Sequence, residues 1–568
     1  MPQPRIFPVV ALTLGLACGG DPMAEGSAGT DGSSSGSSGA TADVPTGDGT
    51  TGSATCEEGE VVCAEGAAVV CVDGVLGSPE VCEGVCLAGV GCVSCEPGTT
   101  VCDGEEVVVC GDDGEPGEVV AHCDSVQGLS CEAGACTGAC APDAARAAEA
   151  GCEFYAVPMP SENVAEGGFG VALTNTCEVT AQLKVDAAGQ PLLMGELAAG
   201  ETRFVELPRL PPLYAANMSV VTGNGAYRVR TDCPVAAVQY SGGKASIDAS
   251  RLYPTDRWGT DMRVMSQPSA MFEDADLPVQ GYLVVTARDD ATTVTIDAPA
   301  GIVVGAIGGI PAEGDGEITL DRGETLLVIA ELPHDISGAR VTADRPIGVF
   351  GGHECSMVPL GTGYCDHLEE VMPPVAALGA DYVVMAPVAS DGGGTAMPHM
   401  IRVVGTQDAT EVTTSDAMLA GQVDAGGVLE FGPLTTPLQI TGSAPILVAQ
   451  FLVGVEVDPL ASDPSMLAPP PVDQFREEHA LWTAEDWLLT VVQVVAPTGA
   501  TATFDGADVT GWAPLAGTAY VGATVVVDAA GGHVLVADMP VGVSVIGMQS
   551  APPVASYAYT GAWGLPVR

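Results

Sequence analysis

The sequence predicts an all-β protein: tandem β-sandwich-like units, with a propeller-like ring as the alternative, preceded by two small disulfide-rich modules. Three observations carry this. Beyond Gly151, apolar runs are mostly four to eight residues long, rich in Val and separated by Asp-Gly, Gly-Gly and Gly-Asn turns. A proline-led apolar run recurs at Pro234, Pro346, Pro445 and Pro540, spaced 112, 99 and 95 residues apart. Between Cys56 and Cys136, two cysteine patterns repeat with an offset of 39 residues.

The N-terminus MPQPRIFPVVALTLGLACGG carries one Arg, an apolar run over 6–17 and then Cys18. The run is too short to span a bilayer and reads as an export signal over 1–17. LGLAC resembles a bacterial lipoprotein signal, which makes Cys18 the expected lipidation site. An ordinary signal peptide with an incidental cysteine is the alternative. Residues 18–55 then form a Gly/Ser/Thr-rich tether, with too little apolar surface to build a core.

CEEGEVVCAEGAAVVC at Cys56 aligns with CEPGTTVCDGEEVVVC at Cys95, defining modules over 56–92 and 95–140. Each holds six cysteines in about 40 residues, too short a span to fold on an apolar core alone. Zinc fits poorly, because neither module has a CxxC pair and His122 is the only histidine of the region. Connectivity inside each module is open. Removing Cys18 from the 19 cysteines leaves an even number, as an oxidising compartment requires. Cys140 is expected to pair with Cys152, Cys177 with Cys233, and Cys355 with Cys365.

The β region is taken as one domain over 141–568 with four units, ending near Tyr240, Gly352, Gly454 and Gly547. YLVVTARDDATTVTID and IRVVGTQDATEVTTSD show its strand pairs most clearly. The formal charge is −55, with only two lysines, Lys184 and Lys244. Such a surface repels nucleic acid and anionic lipid. No cofactor is called for; Ca²⁺ is the one that acidic loops admit.

The stretch from Arg345 to Met385 organises the array: a short strand, a Gly-rich loop with Cys355 and Cys365, then CDHLEE and a second strand. Together with YRVRTDCPVAAVQYSGG, DASRLYPTDRWGTDMRV and DPSMLAPPPVDQF, it resembles the N-terminal domain of IgGFc-binding proteins, over about 152–566. That resemblance implies protein binding outside the cell in the animal members. It implies no catalytic residues, and it names no ligand for bacterial members.

His353, Asp366, His367 and Glu369 could converge on a metal or serve acid–base chemistry if the Cys355–Cys365 loop folds back. The competing reading is that Asp366, with counterparts at Asp248 and Asp463, bonds nearby backbone N–H groups before a turn. The one GxSxG match, over 32–36, lies in the tether, and no HExxH occurs. The sequence therefore reads as a non-enzymatic, exported, lipid-anchored surface protein that binds an extracellular protein or glycan. The candidate binding loops are 246–258, 353–367 and 458–475, with Asp248, His353, Asp366, His367, Glu369 and Asp463 as candidate residues. A metal-dependent hydrolase and a structural envelope component are the alternatives.

Overall fold

A computed structural model describes residues 56–565, apart from 143–149, 162–167, 215, 224, 243–245, 273–275, 390–393, 459, 461–462 and 550–553. The expected signal, Cys18 and tether lie outside the described residues. The described chain is almost entirely strand and turn, and among the described residues two compact units are distinguished: 56–60 with 70–78, and 61–69 with 79–565. Among the described residues, no helix is long and apolar enough to cross a membrane.

The two cysteine modules share one connectivity. Counting cysteines within each module, the first pairs with the third, the second with the fifth and the fourth with the sixth. These are Cys56–Cys71, Cys63–Cys86 and Cys82–Cys92, then Cys95–Cys110, Cys102–Cys131 and Cys123–Cys136. Cys140–Cys152, Cys177–Cys233 and Cys355–Cys365 are also disulfides. The second module is fastened to the array by charge. Arg230, buried, bonds Asp124 at 2.6 Å and also Asp186, while Arg228 reaches Asp124 at 3.5 Å and pairs with Glu153. These partners hold the Asp124 carboxyl below its usual range against the opposing effect of burial.

Nine strands organise the array: β1 (Tyr227–Ser241), β2 (Asp248–Arg251), β3 (Arg340–Ser356), β4 (Asp366–Val371), β5 (Ile446–Leu452), β6 (Ser465–Leu467), β7 (Arg476–Thr483), β8 (Gly531–Gln549) and β9 (Ala555–Thr560). In the first, second and fourth units, the recurring proline lies inside one long strand, where that strand changes partners. Before Pro346, β3 pairs with Thr292–Asp297; after it, β3 pairs with Gly281–Ala287. Before Pro540, β8 pairs with Ala502–Phe504; after it, β8 pairs with Leu489–Pro497. Proline has no N–H to give a ladder, so it is tolerated where one ladder stops and the next begins. In the third unit the long strand is broken: Leu438–Gly442 and β5 lie on either side of Pro445, in two separate sheets.

Each unit is thus sandwich-like, its two halves joined through the long strand into one sheet in the first, second and fourth units and lying in separate sheets in the third, and among the described residues no closed propeller is present. Beside the second half of each long strand lies a short antiparallel one: β2 on β1, β4 on β3, β6 on β5 and β9 on β8. These four short strands meet, β2 against β4, β4 against β6, β6 against β9 and β9 against β2. The fourth unit packs back on the first, with Ala172, Val238 and Ala249 in one apolar cluster with Val543, Tyr557 and Tyr559.

Candidate functional site

The recurring aspartates open the short strands. Asp248 begins β2, Asp366 begins β4, and Asp463 lies two residues before β6. All three are buried. Asp248 Oδ2 accepts from the N–H of Glu369 in β4 at 3.2 Å and of Met466 in β6 at 3.1 Å. Its Oδ1 accepts from Ala558 in β9 at 3.1 Å and from Ala249 of its own strand at 3.0 Å. One carboxylate therefore joins all four short strands. Asp366 accepts from the N–H of Ile247 at 2.6 Å, of His367 at 2.8 Å and of Ser556 at 3.4 Å. Asp463 Oδ1 has no hydrogen-bond partner among the described residues.

The charged residues of β4 continue this buried network. Glu369 accepts from Ser241 Oγ at 2.7 Å and from Gln239 Nε2 at 3.3 Å, and its Oε2 lies 3.1 Å from His367 Nε2. Ser246 and Ser250 hydroxyls accept the N–H of His367 and Val371 at 3.0 and 2.9 Å. Burial pushes the carboxyls of Asp248, Asp366 and Glu370 well above the usual range. The Asp463 charge raises Asp366 further, and backbone N–H bonds oppose the shift at Asp248 and Asp366. Burial raises Asp463 to about 8.

His353 is locked in one neutral tautomer. Its Nδ1 accepts from Cys355 N–H at 3.2 Å, so the Nε2–H donates to the carbonyl of Pro268, also at 3.2 Å. His399 and His479 repeat the arrangement: Nδ1 accepts from Gln450 Nε2 at 2.8 Å and from Ala562 N–H at 3.0 Å, while Nε2 faces Thr436 and Arg476 carbonyls. Burial lowers the three, to about 4, 4 and 3 in that order. Both nitrogens of His353 are therefore engaged by the protein. Among the described residues, no group of three or more His, Cys, Asp or Glu is arranged to hold a metal ion.

The structure places all six candidate residues inside the array. Asp248, Asp366, His367, Glu369 and Asp463 gather at the junction of short strands, and His353 lies beside it on β3. Asp248 and Asp366 do accept backbone N–H groups, from other units as well as from their own strand. Sequence reasoning missed Gln239, Ser241 and Ser556, and it included Ser250 only as part of the loop 246–258 without singling it out. A signal existed for Ser250: Asp-x-Ser occurs at Asp248–Ser250 and Asp463–Ser465.

The profile of the family described as IgGFc binding protein matches residues 248–547, more than half of the chain. The chain belongs to the IgGFc-binding family. The human IgGFc-binding protein is 28% identical over 173 residues, which is 29% of this chain and 3% of that protein's length. No solved structure matches.

In this IgGFc-binding family member, the matched region starts at Asp248 and so contains all three junction aspartates. What it presents to solvent near the junction is the loop closed by Cys355–Cys365. Leu360 and Tyr364 are exposed there, and Gly363 N–H is held by Glu456 of the third unit at 2.5 Å. Beside them the hairpin of Ala270–Phe272 and Leu277–Val279 exposes Met271. The two elements border a shallow groove of about 270 Å³, lined by Phe272, Met357 and Leu360.

Proposed function

We propose that this protein is exported, lipid-anchored through Cys18 and held away from the membrane by its tether and cysteine modules. It captures an extracellular protein or glycan without catalysis. The observation that carries the reading is the division of labour in the second unit. The charged side chains of β4 are buried in holding four units together, while the disulfide-closed loop beside them turns Leu360 and Tyr364 outward. Loops on a rigid β scaffold are where recognition residues concentrate. Exposed aromatic and large apolar side chains are the usual anchors of an interface.

The test uses the full mature chain against immobilised immunoglobulin G Fc, a mucin and a glycan array; Fc comes first because the human relative carries that name. The double variant Leu360→Asp, Tyr364→Asp should abolish binding while leaving thermal unfolding unchanged. Unaltered binding would remove this loop as the recognition surface. Absence of any binding across the three would remove the capture reading. Cys18→Ala should release the protein from the membrane fraction if the anchor is a lipid on that residue.

A further inference from the structure

The groove of about 270 Å³ beside the exposed loop is built by three separate elements. The loop closed by Cys355–Cys365 forms one wall, and the hairpin of Ala270–Phe272 and Leu277–Val279 forms the other. The disulfide, Met357, Phe272 and Val279 pack in one apolar cluster. The third unit braces the loop: Gly454 N–H donates to Val358 O at 3.0 Å, and Glu456 Oε2 accepts from Gly363 N–H at 2.5 Å. A Cβ at Gly363 would meet Glu456 Oε1 at 2.5 Å, so glycine is what lets the two segments approach this closely. A seat already fixed by three elements needs little ordering when it is filled.

The chemistry of the seat selects its occupant. Met271, Phe272, Met357 and Leu360 line it, and no ionisable residue does. The one side-chain hydroxyl of the lining, on Thr362, already donates to Pro359 O at 2.8 Å. A sugar carries hydroxyls around its ring, and each one buried without a partner is penalised. A large apolar side chain has no such group to strand and gains from the burial of its surface. The volume lies below the roughly 300–1,000 Å³ of small-molecule clefts, so it suits a side chain better than a whole ligand. The surround is acidic: Asp276, in the turn of the hairpin, and Glu456 are exposed, on a chain of net charge −55. A cation next to the apolar side chain is therefore attracted.

We infer that this groove seats a large apolar side chain of a partner protein, flanked in that partner by a lysine or arginine. The inference rests on the capture reading above and, within it, chooses a protein over a glycan.

The probe is the end-capped pentapeptide Gly-Lys-Phe-Lys-Gly, titrated against the full mature chain at about 0.15 M salt and read by saturation-transfer NMR. Saturable binding is expected. Replacing Phe by Ala in the peptide should weaken it at least about tenfold, and replacing both Lys by Gln at least about threefold. Leu360→Asp should weaken the parent peptide at least about tenfold. That substitution makes the surface more acidic, so attraction by charge alone would tighten the complex instead. Met418→Asp, at an exposed position of the third unit, should leave affinity within about twofold. No saturable binding, equal binding of the Ala peptide, or a Leu360→Asp chain that binds as well as the parent would overturn the inference. So would equal weakening by Met418→Asp, or capture of a glycan through the same loop. A chain that ignores the peptide yet loses Fc, mucin or glycan binding in the Leu360→Asp, Tyr364→Asp variant keeps the capture reading and loses only this inference.

Discussion

The carboxylate of Asp248 and the main-chain N–H of Ala558 lie 3.1 Å apart although 310 residues separate them. The same carboxylate also accepts from β4 and β6, so the first unit is tied at one point to each of the other three. A buried carboxylate that satisfies four N–H groups is a joint whose failure is felt by every unit it touches, because each donor left unpaired in the interior costs about 1–3 kcal/mol.

Asp248→Asn keeps the size of the side chain but turns an N–H₂ group toward donors. Whichever way the amide lies, two of the four N–H groups face a donor. We expect a loss of about 3 kcal/mol or more and a single unfolding transition shifted downward, measured by calorimetry. A variant as stable as the parent would show that the joint carries no net free energy.

Asp463 makes stability depend on pH with a definite sign. Its folded value of about 8 lies above the ordinary 3.8, so the folded state holds a proton that the unfolded chain releases. The contribution is complete below about 4 and lost as pH rises through about 8. Asp463→Asn cannot ionise, so its stability relative to the parent should climb between pH 4 and 8, by a few kcal/mol in all. The neutral histidines 353, 399 and 479 act in the opposite sense, losing stability as pH falls below about 6.5, but they are common to both proteins and cancel. A difference that does not change with pH would place Asp463 ionised in the folded state.

Arg230 is the fastening of the second cysteine module. Arg230→Met strands Asp124 and Asp186 without their shared cation, and breaking a buried pair on one side costs about 3–5 kcal/mol. Hydrogen exchange should rise across the 124–137 segment and across Ala181–Ala187, with the interior of β8 unchanged. Uniform exchange in parent and variant would mean that the module is held by other contacts.

Peptide mapping without reduction should recover one pattern twice, with Cys63–Cys86 matched by Cys102–Cys131 and Cys82–Cys92 by Cys123–Cys136. Different connectivities in the two modules would break the equivalence that their sequences suggest.

The repeat of prolines was legible in the sequence, and so was the recurrence of an aspartate after three of the four proline-led runs. The meaning of neither was. Proline reads locally as a strand boundary, yet Pro346 and Pro540 lie inside strands of 17 and 19 residues, at the change from one ladder to another. Aspartate reads locally as a turn residue, yet Asp248 serves three distant strands. The least legible stretch is DHLEEV. Four of its six residues are ionisable, which composition assigns to a solvated face, but every one is buried because β4 lies where the units converge.

By itself the sequence determined the strand-sized apolar runs, the turn chemistry between them, the doubled cysteine pattern and the kinship carried by the 345–385 stretch. These depend on residues close together along the chain. Only the tertiary structure decided which cysteines pair within each module, which strands share a sheet, and that six candidate binding residues are interior groups. Burial and hydrogen-bond partnership are set by what arrives from a hundred or more residues away, and no local pattern encodes that arrival.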